Sequence, residues 1–199
     1  MKIPIKRFAV IYCDPPTPTA QQGARGAIKH YPLMTFDELK AMPVADLAAE
    51  NSTLLLWTTS ASLPASLEVM ETWGFRYVTN AVWDKYYMGL GNYFRGSHEI
   101  LLHGVRGRAP FKFHGQRSTL LFPRTEHSSK PAEMIPLIER ILDGPYLEMF
   151  ARRRPNSHAD WSVWGNEIDS DITIPGYPVP SDFAHQNDGR DAAHGDQER

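Results

Sequence analysis

Phe8 to Ile11 is a short apolar run, and just beyond it stand Asp14, Pro15, Pro16 and Thr17. Two consecutive prolines past a strand fix a rigid turn and remove two backbone donors. Such a turn can hold a carboxylate and a free Pro15 carbonyl at the lip of a sheet. That pair suits an aromatic amine, whose nitrogen is a poor nucleophile because its lone pair is delocalised into the ring. Two acceptors gripping its two N–H groups favour a more pyramidal nitrogen, with the lone pair aimed at an electrophile. This is positioning combined with preorganised electrostatics. The same tripeptide also reads as a plain turn with an Asx-type cap.

A second constellation spans residues 128–167: Lys130 in SSKP, Glu148 and Arg152 in YLEMFAR, an arginine triplet, and Asn166 and Glu167 in WGNE. A lysine at a helix N-terminus can bind a carboxylate, and a glutamate at a strand end suits ribose hydroxyls. Singly, each also reads as a cap, a surface ion pair or a polar loop. A third stretch runs from Arg106 through Arg108, Phe111, Lys112 and Phe113 to Arg117. Basic residues interleaved with aromatics can track a phosphate backbone and stack on bases, and equally can form a surface loop. The eight histidines show no metal-ligand spacing, so no metal is expected.

Strand-like and helix-like segments alternate around these residues. Phe8–Cys13, Thr53–Thr58, Phe75–Trp83, Glu99–His103, Thr119–Phe122, Tyr146–Phe150 and Trp161–Trp164 read as strands. Thr35 with Glu38 three residues on is a capping box for a helix to Ala41. Leu63, Leu67, Met70 and Trp73 recur at helical spacing, with Gly74 closing that helix. Lys130–Leu142 is predicted as a further helix. Strands separated by helices argue for an α/β fold with a mostly parallel sheet, in which ligands sit beyond the carboxyl ends of the strands. Asp14 and Glu148 would then share one crevice.

The length of 199 residues suits one domain, and 42% hydrophobic with 22% charged residues is ordinary for a soluble protein. A single cysteine rules out an internal disulfide and fits a cytoplasmic setting; no signal peptide or membrane span is read. Residues 169–199 hold seven Asp and Glu against two arginines, a net of −5, which leaves +3 on residues 1–168. A mildly basic body is compatible with a nucleic-acid partner. The pattern stops near Asp169, so residues 1–168 are expected to form the domain and 169–199 an acidic tail, with 175–199 disordered or draped on the surface. The sequence leaves a homo-oligomer open.

In this order, IYCDPP, HYPLM, LLLWTT, WGFRYVTNAVWDK, GNYFRGSHEILLHGVRG, EHSSKPAEM and YLEMFAR…WSVWGNE resemble the MT-A (seventy-kilodalton subunit) family of adenine-N6 methyltransferases, over about residues 1–168. The resemblance implies a Rossmann-like methyltransferase sheet with helices on both faces, a permuted motif order, and S-adenosylmethionine as cofactor. Asp14, Pro15, Pro16 and Thr17 would then form the catalytic motif, with Asp14 and the Pro15 carbonyl holding the target amine. Lys130 would meet the cofactor's methionine carboxylate, and Asp14, Glu148, Arg152, Asn166 and Glu167 would surround the rest of it. Tyr31 and Lys85 would lie on the substrate side, and Arg106 and Arg108 would contact the nucleic acid, expected to be DNA.

The chain departs from the family's Asp-Pro-Pro-Trp pattern at Thr17. Another aromatic (Tyr31, Tyr86 or Tyr87) would replace the ring, or the pocket would be enlarged or reshaped for a different or modified base, or the chain would be a silent binding subunit; a methyltransferase acting on RNA or free nucleotides is a further alternative.

Overall fold

The structure is a computed structural model, and it describes residues 6–17, 33–89, 93–109, 111–123 and 130–187. Seven strands form one sheet in the order β5-β3-β4-β2-β1-β6-β7. They are β1 (Phe8–Cys13), β2 (Ala48–Thr58), β3 (Arg76–Asp84), β4 (His98–Arg106), β5 (Thr119–Leu120), β6 (Tyr146–Met149) and β7 (Trp161–Trp164). Pairings β1–β2, β1–β6, β6–β7 and β3–β5 are parallel, whereas β4 runs antiparallel to both β2 and β3. The physical reason for the reversal is the link between β3 and β4. The described residues between 85 and 97 form no helix, and a parallel return needs a crossover of a dozen or more residues, usually helical.

Helices cover both faces. On one lie α1 (Phe36–Ala41), α2 (Val44–Leu47) and α3 (Leu63–Thr72), whose Leu39, Val44, Val69 and Met70 pack with Ile11, Leu54, Leu56, Leu102 and Leu147. On the other lies α4 (Met134–Ile141), whose Met134, Leu137, Ile138 and Ile141 meet Val10, Leu55, Trp57 and Leu101. The alternation Leu54, Leu56 against Leu55, Trp57 is the period of two that a strand imposes, here apolar on both faces.

The expected local signals hold. Thr35 and Glu38 exchange hydrogen bonds as a capping box before α1. Gly74, at φ +83°, ends the turn after α3. α4 starts four residues later than expected, after a turn at residues 132–133: in a helix begun at Lys130, Pro136 would sit in the interior with no N–H to donate, whereas from Met134 it falls in the first turn.

The C-terminal boundary needs correction. Ile174 and Val179 are buried in the same core as β1 and α3, and Tyr177 Oη donates to the Glu38 carbonyl at 3.0 Å. Asp171 accepts from Val163 N–H and from Arg154, and α5 follows over Pro180–Asn187. Chain beyond residue 168 therefore completes the core rather than beginning a tail. Residues 188–199 lie outside the described residues.

Candidate active site

The chain leaves β1 for α1 and α2 on one face, then β2 on one side of β1. β6 lies on the other side of β1 and is preceded by α4 on the opposite face. A crevice forms at such a switch point, beyond the strands' carboxyl ends. Asp14 stands at the end of β1, and Glu148 faces it from β6, where Tyr12 and Glu148 are register partners. Lys130 precedes α4. Together these line a cleft of about 270 Å³ with Ile135, Phe150 and Arg152, near the lower end of small-molecule sites.

Four charged side chains of alternating sign run in a row that ends at the cleft with Lys130 and Asp14. Lys130 Nζ lies 2.5 Å from Asp14 Oδ2 and 3.2 Å from Glu99 Oε2, and Lys85 pairs with Glu99 in turn. Their side chains are 16% (Lys130), 39% (Asp14), 18% (Glu99) and 25% (Lys85) exposed. Burial pushes Asp14 above the ordinary carboxylate range, and the nearby Lys130 ammonium partly offsets this. Glu99 is also penalised by burial, but Lys130 and Lys85 together outweigh the penalty and hold it below its ordinary value. Lys130 is raised: burial disfavours its charge, yet Asp14 and Glu99 win. Neutral pH therefore finds Lys130 and Glu99 charged beside the more weakly acidic Asp14.

Glu148 differs. Burial lifts it to about 7, against the pull of Arg153, and the Asp14 charge adds to the rise. It is a carboxylate poised to change charge near neutrality. Beneath it, Trp57 Nε1 donates to Tyr12 Oη at 2.8 Å, and the Lys130 ammonium sits 5.5 Å from the Trp57 ring centroid. Phe150, at φ 62°, holds a backbone conformation rare for an aromatic residue and leads the chain from β6 into the arginine triplet.

The turn after β1 is tighter than the sequence suggests. Thr17 N–H donates to the Pro15 carbonyl at 2.9 Å, and Met34 N–H to the Pro16 carbonyl at 2.8 Å. The Pro15 carbonyl is therefore not free, although its second lone pair is still available as an acceptor.

Of the residues expected at the site, Asp14, Lys130, Glu148 and Arg152 meet in one cleft. Lys85 joins through Glu99. Arg152 Nε pairs with Glu167 Oε1 at 3.0 Å, so Glu167 reaches the rim through Arg152, and Asn166 is exposed beside it on the turn after β7. Tyr31 lies outside the described residues. Arg106 and Arg108 are a correction. Arg106 pairs in register with Ser52, at the opposite end of β2 from Leu56, the partner of Cys13. Four residues of strand, about 13 Å, separate those levels. Arg106 instead donates to the Ala45 carbonyl at 2.7 Å, and Arg108 N–H to Asn51 Oδ1 at 2.6 Å. Both belong to the opposite end of the sheet, at the amino ends of its parallel strands. Two residues that the sequence reading missed are Glu99 and Tyr12. Glu99 enters because β4 runs antiparallel, which sets it opposite Trp83 and next to Lys85.

No group of three or more metal-ligating side chains converges among the described residues, and none of their helices is long and apolar enough to cross a membrane.

A two-faced α/β sheet with a carboxylate and prolines after its interior strand β1 defines a Rossmann-like methyltransferase fold. The chain belongs to the MT-A70 family of adenine-N6 methyltransferases, whose profile matches residues 8–167. Relatives include the Type II methyltransferase M.MunI of Mycoplasma sp, 31% identical over 198 residues, a match covering 87% of this chain and 84% of that one. The probable N(6)-adenosine-methyltransferase MT-A70-like of Oryza sativa subsp. japonica is 29% identical over 171 residues, 81% of this chain and 23% of the relative. The N(6)-adenosine-methyltransferase catalytic subunit METTL3 of Homo sapiens is 25% identical over 173 residues, 82% of this chain and 28% of the relative. This chain thus spans most of the bacterial relative and about a quarter of the two plant and human ones.

Proposed function

We propose that this chain transfers a methyl group from S-adenosylmethionine to the N6 amine of adenine in DNA. The observation that carries the reading is the convergence of Asp14, Lys130 and Glu148 on one cleft at the carboxyl end of β1. DNA is favoured because the bacterial Type II methyltransferase is matched over 84% of its length. RNA is the second reading, favoured by the relatives named adenosine methyltransferases.

The cleft's own groups fit the cofactor. Lys130 has three N–H donors; two are committed to Asp14 and Glu99, and the third suits the carboxylate at the methionine end. Glu148 suits the ribose hydroxyls, Ile135 and Phe150 supply apolar wall, and Arg152 with Glu167, next to Asn166, borders the rim. When bound, S-adenosylmethionine supplies a methyl already activated by its sulfonium charge. Asp14 then has one task. Its Oδ2 is held by Lys130, so Oδ1 accepts an amine N–H while the Pro15 carbonyl accepts the other. The proton released after transfer goes to Asp14 or to water. A duplex substrate must present the adenine flipped out of the stack.

Glu148 makes cofactor affinity pH-dependent. Its carboxylate form accepts the ribose hydroxyls, and that form is lost as pH falls through about 7. Affinity should be greatest above that value and fall by up to about tenfold per pH unit below it, with proton release on binding. Calorimetry from pH 5.5 to 8.5 in buffers of different ionisation enthalpy reads both. Glu148→Gln should bind weakly with a flat profile; a wild-type profile that is itself flat would contradict the assignment.

The function is tested by incubating the protein with methyl-labelled cofactor and DNA or RNA oligonucleotides of matched sequence. Label in DNA is expected. Label confined to RNA selects the second reading. A protein that binds the cofactor yet labels neither polymer is a binding subunit, and the enzymatic reading fails.

A further inference from the structure

The segment between β3 and β4 carries a row of apolar side chains that stand exposed among the described residues. Tyr86 is 86% exposed, Tyr87 68%, Met88 79%, Tyr93 98% and Phe94 93%. Exposed scattered apolar residues are ordinary, but five within nine positions are not. Their backbone is held. Lys85 N–H donates to the Ser97 carbonyl and Gly89 N–H to the Gly96 carbonyl, each at 2.7 Å, continuing the β3–β4 ladder outward as a pair of arms. Tyr86 sits at φ 65°, fixed by its own N–H on Asp84 Oδ1 at 2.8 Å and by a Tyr87 N–H bond to the Lys85 carbonyl at 2.7 Å. A left-handed tyrosine is costly and persists only where its surroundings enforce it. Here the turn throws the two rings outward, nearly perpendicular, with centroids 5.5 Å apart.

The arms are rooted on the active site: Lys85 at their base pairs with Glu99, which pairs with Lys130, which pairs with Asp14. The occupant is indicated by chemistry. Residues 86–97 contain one charged side chain, the exposed Arg95, and no acid. Planar apolar faces beside a lone cation match a polyanion made of stacked rings. Thr17, meanwhile, offers no ring to a base at the Asp14 turn.

We propose that Tyr86, Tyr87, Met88, Tyr93 and Phe94 form a stacking platform that engages the nucleic-acid strand around the target base, in place of the ring that Thr17 lacks. This rests on the proposed function, since it names how that site's substrate is held. Stacking is sequence-tolerant because every base has a π face.

The test is fluorescence anisotropy with a labelled single-stranded DNA oligonucleotide, at fixed salt, on the full chain and two double variants, Tyr86→Ala/Tyr87→Ala and Tyr93→Ala/Phe94→Ala. Each should bind about tenfold or more weaker. Cofactor affinity and thermal midpoint should be unchanged, because these side chains are 68–98% exposed. Tyr86→Phe/Tyr87→Phe keeps the rings and should restore binding. Unchanged oligonucleotide affinity in both alanine variants overturns the platform. So does a loss that tracks conversion of a dimer to a monomer by sedimentation, which would assign the surface to a second copy of the chain. Because binding is read without turnover, a wild type that needs these rings for DNA yet transfers no methyl would defeat the proposed function and leave the platform standing.

Discussion

Lys130→Met should lower methyl transfer at neutral pH by on the order of a hundredfold or more, and part of the loss should return as the pH is raised. The ammonium is 2.5 Å from Asp14 and 3.2 Å from Glu99, and it offsets more of the burial penalty on Asp14 than any other group. Without it, Asp14 is left beside Glu99, with only Lys85, already bound to Glu99, as a counter-charge. Burial and like-charge repulsion then act together, and the Asp14 pKa climbs further. A protonated Asp14 is a poorer acceptor for an amine N–H, so the acid limb of the pH–rate profile should shift upward relative to wild type. The cofactor's carboxylate loses its partner as well, so its KM should rise. Folding stability should fall by about 1–3 kcal/mol, less than a fully buried pair would cost because Asp14 is 39% exposed. A variant whose pH–rate limb coincides with wild type would show that Lys130 does not govern Asp14.

The second large effect belongs to Glu99, which is assigned to neither the target amine nor the cofactor and acts through Lys130, its partner at 3.2 Å. Glu99→Gln keeps the shape but removes the negative charge between Lys85 and Lys130. Lys130 is then held by Asp14 alone, and two ammonium groups face each other across a neutral amide. Asp14 should become more acidic, because a raising influence is gone while both lysines remain. The pH–rate limb should therefore move down, opposite to Lys130→Met, with kcat reduced about tenfold as the acceptor oxygen is drawn toward the lysines. Opposite displacements from two neighbours separate an electrostatic relay from a general loss of packing. If both variants shift the limb the same way, the relay account is wrong.

Much of this architecture was legible because burial writes itself into the sequence. The TLLLWT run has no polar alternation, and it lies in the middle of a sheet covered on both faces. Asp14, Lys130 and Glu148 were legible because each follows a periodic element whose end is marked by a proline, a turn or a charge. Glu99 was not. Its partner Lys85 is 14 residues away, and nothing in their spacing shows that β4 reverses direction. Arg106 and Arg108 were misplaced for the same reason: a basic pair at a strand end points to a ligand only if that end is the carboxyl end of the parallel strands. Ile174 and Val179 escaped notice because they stand alone among prolines, glycines and acids, with no repeat to mark the face they bury.

The claim on which the rest depends is that Asp14 orients an adenine amine for methylation. It is tested most directly by single-turnover transfer from methyl-labelled cofactor to unmethylated DNA, comparing the wild type with Asp14→Asn and resolving the labelled nucleosides. The asparagine keeps the shape and one acceptor but presents N–H where the amine needs a carboxylate oxygen. Label should appear as N6-methyladenine in the wild type, and the variant's rate should be on the order of a hundredfold to a thousandfold lower, with cofactor still bound. Equal rates in the two proteins, or label on any position other than adenine N6, would contradict the account.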